Sequence, residues 1–206
     1  MGRELSEYHR AVADRNRTAI IASATQLFLA LGYDRTSLAG VAQTAGVSKA
    51  TLFKQFATKA VLFEAVILAV GDADAQDLPE PAPGNPRAGL LALASAYASL
   101  LLRPPTADMI RLVIAEGPRF PELRDRTFDF GTLPALTALE GYLRSEEKAG
   151  SLRMDSRATA SAQLLGMIAS AVFWPALVHP GWSMEAAEID TVIHQAVETF
   201  LARYGA

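Results

Sequence analysis

Between residues 48 and 55 the chain reads SKATLFKQ, and five of these eight side chains carry groups suited to binding rather than to reaction. Lys49 and Lys54 supply cations, while Thr51 and Gln55 can exchange hydrogen bonds with base edges or with phosphate. Ser48 stands where a helix would begin, so the positive end of the helix dipole faces the same way as the lysines. Ala50 lets a partner come close, and Phe53 offers apolar surface to a thymine methyl or a sugar. Only Leu52 and Phe56, four apart, form an inward stripe. The chemistry on offer is recognition of a polyanion.

Bond-breaking chemistry finds no support of this kind. The three histidines, His9, His179 and His194, are scattered, and the chain contains no His-Glu-x-x-His, no Gly-x-Ser-x-Gly and no phosphate-binding glycine loop. No cysteine is present, which excludes disulfides and thiolate metal sites and is in keeping with a reducing cytoplasm. The expectation is a protein that is not an enzyme, with no metal and no cofactor. Arg111 and Glu116, five apart, read either as a polar pair in a cavity or as rim charges.

Charge is distributed unevenly along the chain. The net charge is −3, yet residues 1–59 hold eight Lys or Arg against four acids, a surplus of +4. The remaining residues therefore carry 11 basic against 18 acidic side chains, or −7. A basic head on an acidic body places the polyanion at the head.

The elements that must position these groups are helical throughout. Ile20, Ala24, Leu27, Phe28 and Leu31 recur at steps of three and four, predicting a helix over 15–31 that ends at Gly32. Thr36 or Ser37 caps a two-turn helix with Val41 and Ala42 inward, and Gly46 occupies the left-handed C-cap position. Ser48 caps the third helix by accepting from the Thr51 amide. Thr58 caps a fourth, over 59–73. The proline-rich run at 77–86 reads as a linker. Beyond it, 87–102, 106–116, 121–149, 156–178 and 184–204 read as helices, interrupted in the third case by Gly131 and Pro134. The stretch 158–178 is 21 residues without a charge, long enough to span a bilayer. Its polar residues and Pro175 favour a buried helix, and the charged N-terminus lacks the apolar core of an export signal, so a cytoplasmic protein is expected.

Two short helices joined through a glycine turn form a helix-turn-helix, whose second helix enters the DNA major groove. Residues 20–66 then resemble the N-terminal domain of TetR-type (TetR/AcrR) transcriptional regulators. The resemblance rests on Phe28-x-x-x-Gly32-Tyr33, on Val41-Ala-x-x-Ala-Gly-Val-Ser48, on Thr51-Leu-Phe53 and on Phe56-x-x-Lys59. It implies an all-α, homodimeric regulator of about nine helices: a three-helix DNA-binding domain at 1–58, a connecting helix at 59–75, and a ligand-binding and dimerisation bundle at 76–206. By motif position, Lys49, Thr51, Phe53, Lys54 and Gln55 face DNA, with Ser37 and Lys59 on flanking phosphates. The chain departs from the pattern at Ala50, where glycine is usual, and at Phe53, where tyrosine would bring a hydroxyl.

The body raises two expectations. Gly166, Ala169 and Ser170 allow close helix approach and Val197, Phe200 and Leu201 supply apolar area, so the last two helices are expected to build a two-fold dimer. Tyr97, Met109, Phe120, Phe128, Tyr142, Met167 and Trp174, oriented by Arg111 or Glu116, are candidates for an effector pocket. The functional expectation is a ligand-responsive regulator: a repressor released from a pseudo-palindromic operator by a small apolar or aromatic molecule. The alternative is an all-helical enzyme or interaction module without sequence-specific DNA binding.

Overall fold

The computed structural model describes residues 2–71, 78–123 and 133–206. Among them it is all-helical, with helices α1 (Gly2–Arg35), α2 (Leu38–Thr44), α3 (Lys49–Gln55), α4 (Lys59–Gly71), α5 (Pro86–Leu101), α6 (Thr106–Glu116), α7 (Leu133–Ala149), α8 (Arg157–Val172), α9 (Trp174–Val178) and α10 (Ala186–Tyr204). No described helix is long and apolar enough to cross a membrane. The uncharged stretch breaks at Phe173, which closes α8 and opens α9.

The chain separates into two compact units, Met1–Val70 with Arg111–Phe128, and Gly71–Ile110 with Asp129–Ala206. The division falls inside α6. Helix α4 and residues 111–123 group with the helix-turn-helix.

In the first unit Ile20, Ala24 and Phe28 of α1, Val41 and Ala42 of α2, Leu52 and Phe56 at α3, and Leu62, Phe63 and Val66 of α4 are buried. The helix α1 starts thirteen residues earlier than its apolar stripe predicts. Near its other end Gly32 takes φ 83°, ψ 169° and interrupts the helical path. The turn this creates is held from several directions. The amide of Tyr33 donates to Glu116 Oε1 at 2.7 Å and that of Asp34 to Oε2 at 3.2 Å. Lys59 Nζ donates to the carbonyls of Tyr33 and Asp34, at 2.8 and 3.0 Å. The exposed Arg119 and Asp34 pair at 3.1 Å. The buried Tyr33 ring meets Phe28, Phe63 and Phe120 with centroids 5.0–5.7 Å apart. Thr36 rather than offering a cap is buried, and its hydroxyl donates to the Gly32 carbonyl at 2.8 Å.

In the second unit α5, α7, α8 and α10 share one core that includes Leu90, Leu93, Leu143, Leu164, Ile168 and Val197. A buried carboxylate fastens its edge. Glu146, fully buried, accepts from the hydroxyls of Tyr142 and Ser151 and from the Gly84 amide at 3.0 Å. Burial alone would push its carboxyl up, but these bonds and the Asn85 amide together hold it below its ordinary value. The stabilisation it lends is therefore complete above the ordinary glutamate range and fades as pH falls through the lowered value. Gly89 is equally constrained, since a Cβ there would lie 2.0 Å from the Tyr142 hydroxyl.

The Glu116 contacts make a specific demand on the first unit. A carboxylate bonded to amides contributes about 1.5–3 kcal/mol per bond, so Glu116→Ala should destabilise that unit by an amount of this order. Hydrogen exchange should report faster loss of protection at the Tyr33 and Asp34 amides than elsewhere in α1. Unchanged protection at both amides would show that Glu116 does not hold the turn.

Candidate nucleic-acid interface

The outer surface of α2 and α3 is built by caps at both helix starts. Ser37 accepts from the Gly40 amide at 3.1 Å, and Ser48 accepts from the Thr51 amide at 3.0 Å. Between the helices Gly46 adopts φ 67°, the left-handed value for which its lack of a Cβ suits it. Val47 then returns an amide to the Ala42 carbonyl at 3.0 Å. These local bonds fix the direction of α3 without using its outward side chains.

With Leu52 and Phe56 buried, α3 is pinned by the predicted stripe. Lys49, Ala50, Phe53 and Lys54 are exposed, Phe53 to 49%. Thr51 is half-buried, and its hydroxyl lies 2.8 Å from that of Ser48. A hollow of about 500 Å³ runs between Ser37, Gly40, Gln43, Val47 and Lys49, bringing the α2 cap and the first lysine of α3 to one surface. Gln43 was not singled out by sequence reasoning. It is exposed beside Lys49, and only the pairing of α2 with α3 reveals this.

Two of the expected DNA contacts have partners within the fold. Gln55 is half-buried and its amide nitrogen donates to the Ala13 carbonyl at 3.2 Å, so it is engaged with α1. The ammonium of Lys59 is directed at the end of α1, where two carbonyls and the Tyr33 ring, 4.4 Å away, surround it. Each side chain is long enough to reach a main-chain carbonyl of α1.

The proposed pocket residues are also redistributed. Arg111, Glu116 and Phe120 belong to the first unit, Tyr97, Met109, Tyr142, Met167 and Trp174 to the second, and Phe128 lies outside the described residues. Glu116 is neither a cavity charge nor a free rim charge, because two amides occupy it. Phe120 packs on Tyr33. Trp174 is 61% exposed and so is no interior wall. Within the second unit a cavity of about 600 Å³ is lined by Pro79, Pro81, Pro134, Ala138 and Tyr142, among others, and of the expected residues only Tyr142 takes part. The dimer set divides similarly. Gly166 and Ser170 are exposed and Ala169 and Leu201 half-buried, but Val197 and Phe200 are corrected to core residues, since α10 turns them inward.

Among the described residues no group of three His, Cys, Asp or Glu side chains could hold a metal ion.

Comparison with known proteins matches residues 20–66 to the bacterial regulatory proteins of the tetR family, and residues 88–206 to the C-terminal domain of AefR-like transcriptional repressors. No curated relative matches. Among solved structures, one from Mesorhizobium loti MAFF303099 assigned as a TetR-family transcriptional regulator is 28% identical, with 94% of this chain and 98% of that one covered and a TM-score of 0.80. The flavonoid-responsive regulator FrrA is 26% identical, with 93% and 98% covered and a TM-score of 0.77. NalD, the secondary repressor of the MexAB-OprM multidrug efflux pump in Pseudomonas aeruginosa, shares the fold at 23% identity, 94% and 98% coverage and a TM-score of 0.64. With one family model spanning more than half of the chain and another spanning its helix-turn-helix, the chain belongs to the TetR family of bacterial regulatory proteins and is a ligand-responsive, DNA-binding transcriptional regulator.

Proposed function

We propose that the chain is a homodimeric repressor that leaves a pseudo-palindromic operator when a small apolar or aromatic effector binds. The observation that carries the DNA half of this reading is the outward face of α3, where Lys49, Ala50, Phe53 and Lys54 are all exposed while Leu52 and Phe56 hold the helix from behind. Lys49 and Lys54 meet base edges or phosphate, Phe53 meets apolar groove surface, and Ser37 lies at a flanking phosphate. The repressor assignment draws on the AefR-like family description and the effector class on the flavonoid-responsive relative.

Selection of a duplex from a random pool, followed by titration, tests the DNA contacts. Lys49→Ala should weaken the selected duplex by about 1–3 kcal/mol if the lysine reads a base. Lys59→Ala should act mainly on thermal stability, since its ammonium caps α1. If Lys49→Ala and the parent bind alike, α3 is not the reading helix.

For the dimer, the favoured contact is the exposed side of α8 continued into α9. Ala162, Gly166, Ser170, Trp174 and Val178 follow one another at four-residue steps, carry no charge, and end in a tryptophan and a valine exposed to 61% and 71%. Two recognition helices in such a dimer would meet half-sites one DNA turn, roughly 34–36 Å, apart. Sedimentation of Gly166→Arg should show monomer where the parent is dimeric, with far-UV dichroism unchanged. A dimer persisting in the variant would move the interface elsewhere.

For the effector, Tyr142 is the proposed wall at the cavity beside Pro79, Pro81 and Pro134, with Tyr97, Met109 and Met167 as candidates elsewhere in the same unit. By linkage, an effector that favours release must bind more weakly in the presence of operator, by the same factor as it weakens DNA binding. Calorimetry with a flavonoid panel, with and without the selected duplex, should show this reciprocal loss. Equal affinities would leave release without an allosteric basis.

A further inference from the structure

The family match begins at residue 20, whereas α1 begins at Gly2, so eighteen helical residues precede the matched segment. At 1.5 Å per residue they extend about 27 Å. Recognition helix α3 contributes only seven residues, about 10 Å.

This overhang is joined to α3 at two points. Gln55 donates to the Ala13 carbonyl, and the Arg17 guanidinium lies 4.8 Å from the centroid of the Phe56 ring. Both partners stand at the C-terminal end of α3. The other amide atom of Gln55, its oxygen, is buried without a hydrogen-bond partner, so α1 rather than solvent orients that side chain. The inward stripe of α1 changes character here. Stepping back from the buried Ile20 by three and four residues gives Arg17, Ala13 and Arg10, so the side that is apolar within the core becomes basic alongside α3. Arg10 and Arg17 are both exposed. Asp14, one turn from Arg10, is the one acid between residues 9 and 19. Arg15 projects from the opposite side of the helix.

We propose that the overhang is a second DNA-contacting element, in which Arg10 neutralises a backbone phosphate flanking the groove that α3 reads. The occupant is duplex DNA because this basic side is joined to the C-terminal end of α3, whose last turn carries the exposed Lys54, and has the opposite charge to phosphate. The contact carries no sequence information; it lengthens the footprint and sets the register of α3. This inference rests on the DNA-binding reading above.

The test is a salt titration of the full chain on a fluorescein-labelled 40-base-pair duplex of mixed sequence, comparing the parent with Arg10→Ala, Arg10→Lys, Arg15→Ala and Lys49→Ala. Each phosphate contact contributes roughly 0.9 to the slope of log K against log salt. Arg10→Ala should lower the slope by about that amount per protomer and Arg10→Lys should restore it. Arg15→Ala removes the same charge from the other side of the helix and should leave the slope near the parent's. Equal losses in Arg10→Ala and Arg15→Ala would indicate a diffuse field and overturn the proposal, as would no loss in Arg10→Ala while Lys49→Ala weakens binding. If Lys49→Ala also has no effect, or the parent does not bind, the DNA-binding reading itself fails and the overhang falls with it.

Discussion

Two successive backbone amides at the end of α1 point at the carboxylate of Glu116, and the geometry of the reading head follows from that arrangement. A helix end leaves polar groups without intrahelical partners. Here the chain must also reverse within a few residues, through Gly32, before Ser37 can start α2. Glu116 collects the amides of the turn, Lys59 collects its carbonyls, and the Tyr33 ring fills the space between with three other aromatics. A Cβ on residue 32 would fall 2.4 Å from Glu116 Oε1, so the glycine is required for the approach of the carboxylate as well as for its positive φ. The start of α2 follows directly from this turn.

Opposite charges therefore do structural work in a place where the sequence suggests functional work. Lys59 matches a phosphate-contacting position in the family pattern, and Glu116 is the charge that closes a helix already carrying Asp108 and Arg111. Both signals were legible as charges. Their destinations were not, because an 83-residue separation between Glu116 and Tyr33 leaves no periodic trace in the sequence. Gln55 shows the same limit, since its partner is a main-chain carbonyl 42 residues away and a carbonyl carries no residue identity.

What could be read in advance was local. The caps at Ser37 and Ser48, the left-handed Gly46 and the buried pair Leu52 and Phe56 follow from short-range rules, and the structure has each of them. The start of α1 was misjudged because a helix that projects beyond its core needs no apolar stripe, and the stripe was the signal used. Val197 and Phe200 were apolar at helical spacing, which fits a core or an interface equally well; only the packing of α10 against α5 and α8 separates the two. Exposed Gly166 and Ser170 were legible as small, uncharged positions, and the continuation into Trp174 and Val178 needed the break at Phe173 to be seen.

The half-exposed ring of Phe53 has a thermodynamic consequence. Where a tyrosine at this position would offer a hydroxyl to a phosphate, phenylalanine offers only hydrocarbon. Any duplex that covers the ring removes apolar surface from water, and such burial lowers the heat capacity of the complex. Its hydrophobic share of the affinity weakens on cooling, in contrast to a hydrogen bond in the same place. For a duplex that covers this ring, the temperature dependence of binding is thus partly written into one missing oxygen atom.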